Sequence, residues 1–381
     1  MAGRKAWGYP DFMGRTTGSI DYVLLLVVGT ITLFGLVMLL SASAPSAYAE
    51  FADSYYFVKH QIIFGLLPGI GALIAFWRIP YTFWRTHAWN LLILSIALLI
   101  LVFIPGLSAG IGSAHSWISI GGVFSLQPSE IVKLTFLFYL AAWLAQRDRQ
   151  GVRDVHSGFL PFVGVLGTIM LLMVLQPDVG TMSIIAAMSL VVYFVAGAPV
   201  TYITGLILAG IAGLALLITA APYRAARFTT FLYPELDPQG IGYHINQALL
   251  AIGSGGIFGL GYGHSRQKFQ YLPEVAGDSI FAIIGEEMGF IVAAIVVGLF
   301  LLFLWRMLAI AKRAPDAFGK YVVVGIAAWI VIQAFVNIGS MVALMPITGV
   351  PLPFISYGGT SLAISMAAVG VVLNISKSAK K

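Results

Sequence analysis

The chain has 381 residues, 59% hydrophobic and 9% charged, with a net charge of +6 and no cysteine. Soluble domains carry about 25% charged residues, so this composition excludes a soluble globular protein. The missing cysteines exclude disulfides and thiolate metal sites.

A bilayer admits helices or a closed barrel. Apolar runs of about 18–20 residues fit helices, and no short alternating barrel segments occur. The predicted fold is all-α: one polytopic domain, 1–381, of about ten transmembrane helices. In chain order the spans fall at about 22–41, 59–77, 87–104, 129–146, 159–175, 180–196, 200–219, 279–306, 320–345 and 358–376. Ala42-Ser43-Ala44 imitates a signal-peptidase site, but the run Val23 to Leu40 is too long for an h-region and reads as an uncleaved span.

Basic residues set the orientation. With the N-terminal segment 1–20 cytoplasmic, the cytoplasmic segments hold fifteen of the 21 basic residues, among them Arg4, Arg78, Arg147, Arg306 and the tail lysines of 377–381. The +6 charge is therefore assigned to topology and not to nucleic-acid binding. Both termini are predicted inside.

One long outer segment, 220–278, carries Arg224, Arg227, Arg266 and Lys268. Within it Ile241, Ile245, Leu249 and Ile252 stand at helical spacing and predict a short re-entrant or interfacial helix. The glycine-rich run Gly253 to Gly263 lacks the strand and the Lys-Ser/Thr pair of a nucleotide loop, so it reads as a tight, close-packed bend. Three other outer loops hold Gln127-Pro128-Ser129-Glu130, Gln176-Pro177-Asp178 and the charge-free stretch Pro346 to Tyr357.

The outer face has no ATP, so chemistry there needs a substrate activated beforehand. A polyprenyl pyrophosphate sugar is such a substrate. Its leaving group needs cations, and its acceptor hydroxyl needs a carboxylate base. Asp278, at the mouth of span eight, suits the base, and it suits a helix N-cap as well. Glu130 and Lys133, three apart on one helix face, can pair. Asp178 reads as a cap. Glu286 and Glu287 lie inside span eight with no obvious partner. His115, His244 and His264 do not form a metal-binding spacing.

Four stretches carry a family resemblance: Gln127-Pro128-Ser129-Glu130 with Lys133; Gln176 through Thr181; Tyr271-Leu272-Pro273-Glu274 to Asp278 and on through Gly285-Glu286-Glu287-Met288-Gly289; and Pro351 through Ser361. Together they resemble the SEDS family of bacterial shape, elongation, division and sporulation proteins, whose members include FtsW and RodA. The resemblance implies a peptidoglycan glycosyltransferase that polymerises lipid II at the outer face of the bacterial cytoplasmic membrane. It carries the essential acid onto Asp278, the loop glutamate onto Glu274 and the span-four lysine onto Lys133. Glu130, Arg224, Arg227, Lys268, Asp178 and Ser356 complete the expected substrate-binding set. It also implies a class B penicillin-binding protein as partner, with other divisome or elongasome membrane proteins, and a divalent cation, Mg or Mn, with no nucleotide.

Two positions depart from the family pattern. Ser116 stands where an Arg usually precedes the Trp, and Ala276-Gly277 stand where His-Thr usually precede the acid. The glycine-rich segment leans FtsW-like, whereas Ile347 to Pro351 leans RodA-like. A lipid II flippase and a non-catalytic scaffold of a cell-wall synthase are the alternatives.

Overall fold

The computed structural model describes residues 20–104, 116–120, 124–219, 229, 231 and 241–378. Arg224, Arg227 and His115 lie outside the described residues.

The apolar runs form helices because only an internal ladder satisfies the backbone in lipid. The helices are α1 (Tyr22–Phe51), α2 (Tyr56–Arg78), α3 (Ala88–Leu101), α4 (Pro128–Ala145), α5 (Val155–Leu175) and α6 (Val179–Val195). They continue with α7 (Val200–Thr219), α8 (Ile241–Gly255), α9 (Ile280–Arg313), α10 (Ala317–Met341) and α11 (Gly359–Lys377). Among the described residues eight helices are long and apolar enough to cross a membrane, and α3 and α6 are shorter apolar helices, so the ten predicted spans are all present. The chain is a multi-pass membrane protein.

Two helices form the centre. In α4 and α10, 83% of the apolar stretch is buried, whereas in α7 none is. Two ion pairs join segments distant in the chain. Arg306 meets Asp21 at 2.8 Å, and Arg85 meets Asp316 at 3.5 Å. All four residues belong to segments predicted to share the cytoplasmic side.

The loop between α3 and α4 contains a feature the span count did not foresee. Ile118–Ile120 (β1) and Phe124–Leu126 (β2) pair antiparallel, with Ser119 opposite Ser125. Ile118, Ile120, Phe124 and Leu126 alternate with these serines, which is the two-residue period of a strand.

Helix α9 is two helices. At Gly289 the backbone takes φ 76° and ψ −179°, a conformation essentially restricted to glycine. The break leaves the carbonyls of Glu286 and Glu287 without helical partners. Leu260 N–H and Gly261 N–H, from the glycine-rich bend, supply the missing donors at 3.0 and 2.9 Å. Non-helical backbone at membrane depth is tolerated where protein buries it in this way. A Cβ at Gly289 would overlap the backbone nitrogen of Gly259. The bend is therefore close-packed, and its partner is the break.

Gly289→Ala is expected to cost at least about 3 kcal/mol, from the forbidden dihedral plus the overlap. Gly298, farther along α9, has nothing within 4 Å of its would-be Cβ. Gly298→Ala is expected to be neutral. Thermal unfolding of the two purified variants checks both, and equal midpoints would refute the assignment.

Helix α8 packs against α9 on a face that keeps part of the predicted stripe: Ile245 is buried and Ile252 half-buried, while Leu249 is exposed and Ala248 and Ala251 are buried. Small residues let two helices approach closely.

Candidate active site

The turn 273–279 delivers Asp278 to the mouth of α9. Gly277 N–H and Ser279 N–H both donate to the Glu274 carbonyl, at 2.9 and 3.2 Å. Glu274 itself sits at φ 50° with an exposed side chain. The helix proper begins at Ile280 with Ser279 in the cap position. Asp278 is thus not the helix cap, and that reading is set aside. The Asp278 residue is buried, 8% exposed. Gly349 of the last outer loop, at φ 71°, lies beside the carboxylate: a Cβ there would stand 4.0 Å from Asp278 Oδ2, at van der Waals contact. The positive end of the α9 dipole favours an ionised group at this place.

The second cluster is built on α4. Lys133 Nζ lies 2.8 Å from Glu130 Oε1, and both side chains are 1% exposed. Lys133 also donates to Gln333 Oε1 at 2.7 Å and lies 4.7 Å from the centre of the Trp329 ring. Trp329 Nε1 donates to the same Gln333 oxygen at 2.8 Å. Beside this cluster Asp178 caps α6 by accepting from Thr181 N–H at 3.0 Å, and its other oxygen accepts from Ser129 at 3.2 Å.

Helix α10 joins the two clusters. Gln333 holds Lys133, and Asn337, one helical turn on, donates to the main-chain oxygen of Asp278 at 2.7 Å. The same two amides hold the last outer loop: Gln333 donates to Pro351 O at 2.9 Å, and Asn337 donates to Val350 O at 2.9 Å. Residues i and i+4 share one face, separated by about 6 Å of rise. Lys133 and the main chain of Asp278 are thereby held by amides one turn apart on α10, under one loop. Sequence reasoning missed Gln333 and Asn337. Two amides four residues apart inside an apolar span were the available signal.

Several expected members stand elsewhere. Lys268 Nζ, 5% exposed, donates to Glu287 Oε1 at 2.8 Å, to Gly263 O at 2.8 Å and to Ser41 Oγ at 3.0 Å. An ammonium has three N–H groups, so Lys268 has none left for a diphosphate. The geometry thus shows no free N–H for the substrate-binding role expected of it. The expectation that Glu286 and Glu287 have no partner is corrected. Glu287 accepts from Ser41 at 2.7 Å, and Glu286 accepts from Ser265 Oγ and from Arg266 N–H at 2.9 Å. The buried charges thus form two separate networks, not one path across the bundle. Ser356 Oγ accepts from Leu352 N–H at 2.8 Å and closes the turn of its own loop. Ser116, in place of the family Arg, donates to Gln176 O at 3.1 Å and ties the hairpin to the next outer loop. Arg266, in contrast, is exposed. Among the described residues no three His, Asp or Glu side chains converge as a metal site.

An apolar groove of about 640 Å³ lies between α8, α9 and α10, lined by Ile252, Phe281, Phe290, Val297 and Ile338 among others. Its lining carries no charged side chain, so it has no group for acid–base chemistry.

A family profile described as cell cycle protein, covering FtsW, RodA and SpoVE, matches residues 21–381. The chain belongs to this family. Stage V sporulation protein E of Bacillus subtilis is 43% identical over 366 residues, which cover 95% of this chain and 99% of the relative. A probable peptidoglycan glycosyltransferase FtsW of Trichlorobacter lovleyi is 42% identical over 360 residues, 94% of each chain. Among solved structures, a chain of a peptidoglycan synthase complex that coordinates polymerization and crosslinking superposes with a TM-score of 0.76 at 28% identity, over 94% of this chain and 98% of the other. Rod shape determining protein RodA of Thermus thermophilus gives a TM-score of 0.69 at 26% identity, over 98% and 100%. Within the FtsW, RodA and SpoVE family, then, this chain keeps the whole helical scaffold, and its sequence lies on the FtsW and SpoVE side.

Proposed function

We propose that this membrane glycosyltransferase polymerises lipid II, a disaccharide peptide on undecaprenyl pyrophosphate, at the outer face of the bacterial cytoplasmic membrane, with both termini cytoplasmic. The observation that carries the site is the pair of amides on α10, which brings Asp278 and the Lys133–Glu130 pair under one loop. Family membership and the glycosyltransferase names of the relatives support the reaction class.

Asp278 takes the proton of the acceptor 4-hydroxyl. The freed oxygen attacks the MurNAc anomeric carbon of the second lipid II from the face opposite the diphosphate. The bond from that carbon to the phosphate oxygen breaks, and undecaprenyl pyrophosphate leaves with inversion. A diphosphate leaves without a protonating acid, so it needs positive charge. Exposed Arg266 is suited to this, and Arg224 and Arg227, on the same outer segment, join it in this proposal. Lys133, held by Glu130 and Gln333, keeps its place under the same loop. No step is assigned to a metal.

The partner in this proposal is a class B penicillin-binding protein, which cross-links the strand that this chain makes. The likeness to a chain of a synthase complex supports the pairing. The test is direct. Purified chain is incubated with lipid II, with and without the transpeptidase, and glycan strands are expected on a gel. Translocation of lipid II across vesicles by the same preparation, with no polymer in either case, would overturn the proposal in favour of transport.

A further inference from the structure

We propose that His244 is a positioning residue for Asp278 and acts through Ser279. The inference rests on the reading of Asp278 as the base.

His244 lies on α8, far in sequence from the acid, yet its Nε2 is 2.6 Å from Ser279 Oγ. Ser279 Oγ is also 2.8 Å from the Pro273 carbonyl oxygen and 3.4 Å from Asp278 Oδ1. A hydroxyl carries one proton, and a carbonyl can only accept. Of the two groups that can only accept, Pro273 O is nearer than Asp278 Oδ1, so it takes the Ser279 proton. His244 Nε2 must then be the N–H donor to Ser279 Oγ. The chain of donation runs from the imidazole through the hydroxyl to the start of the turn that ends in Asp278. Hydrogen bonds in series polarise and strengthen one another.

The acid-bearing turn is in this way pinned from two helices. Asn337 on α10 holds the main chain of Asp278, and His244 on α8 holds Ser279 and, through it, Pro273. Released from His244, the Ser279 side chain can turn toward Asp278 Oδ1. A hydrogen bond donated to a carboxylate favours its ionised form and lowers its basicity. Losing His244 thus both loosens the base and weakens it, while the diphosphate contacts stay as they were. The rate constant should fall and substrate affinity should not.

The test compares His244→Ala, His244→Gln, Ser279→Ala, the His244→Ala/Ser279→Ala pair and Asp278→Asn in the lipid II assay. His244→Ala is expected to lower kcat by about tenfold or more, as small misplacements of a base do, with KM for lipid II within about twofold. The Gln amide can donate to Ser279 from nearly the same place, so His244→Gln should restore kcat to within about threefold of the parent. The double variant should be no worse than the weaker single one, because both changes cut one chain. Wild-type kcat in His244→Ala, or His244→Gln no better than His244→Ala, overturns the inference. So does a double variant whose loss is the product of the two. Should His244→Ala lose its thermal transition, Ser279→Ala decides: low kcat with unchanged KM supports the inference, and wild-type kcat overturns it. An active Asp278→Asn removes the base reading itself, which is a separate failure.

Discussion

Asp278→Asn is expected to lower lipid II polymerisation by about three orders of magnitude, the range for loss of a general base, and to leave the thermal midpoint unchanged. The second half of the expectation follows from how the residue is held. Asn337 grips the main-chain oxygen of Asp278, which the substitution does not touch. The cap position of α9 belongs to Ser279, so the carboxylate does not cap the helix. Asparagine has the same shape and cannot take a proton at neutral pH. A loss of polymer in a protein that still unfolds at the parent temperature therefore reports chemistry. Polymerisation within about tenfold of the parent rate, about 1.4 kcal/mol, would falsify the role given to this acid.

Lys268→Met is expected to destabilise the protein by about 3–5 kcal/mol, the cost of leaving one partner of a buried pair uncompensated. Glu287 is fully buried, and the ammonium that faces it is 5% exposed. Serine 41 on α1 bonds to both, so the pair ties α1 to the break in α9 and to the loop before Asp278. Adding Glu287→Gln removes the orphaned charge, and the double variant should recover most of the stability. Thermal unfolding of the two variants measures this. A Lys268→Met protein with the parent midpoint and a raised KM for lipid II would instead return Lys268 to the substrate-binding set.

The two substitutions separate what a reading of the chain could and could not tell apart. Asp278 and Lys268 look alike in sequence: each is a charge in an aromatic outer segment next to a membrane helix. Their fates differ because of residues far away. Asn337 and Gly349 come to Asp278 from α10 and the last outer loop. Ser41 comes to Lys268 from α1. The Glu130–Lys133 pair was legible because three residues on one helix is a local distance. The Asp178 cap was legible for the same reason. Gln333 and Asn337 passed unnoticed because a neutral amide carries no charge and their partners lie on other elements.

The number of spans and their order follow from run length, and the predicted sidedness from where lysine and arginine fall. These are properties of short windows and need no partner. The close-packed glycine bend also follows from its composition, but what it packs against does not. That it seals a break at Gly289, that Glu286 and Glu287 are paired, and that His244 reaches Ser279 were settled only when α8, α9 and α10 met. Each of those contacts joins residues that share no helical turn, and a hydrogen bond forms or fails within a few tenths of an ångström. Local pattern has no access to such distances, because they depend on which helix faces pack together.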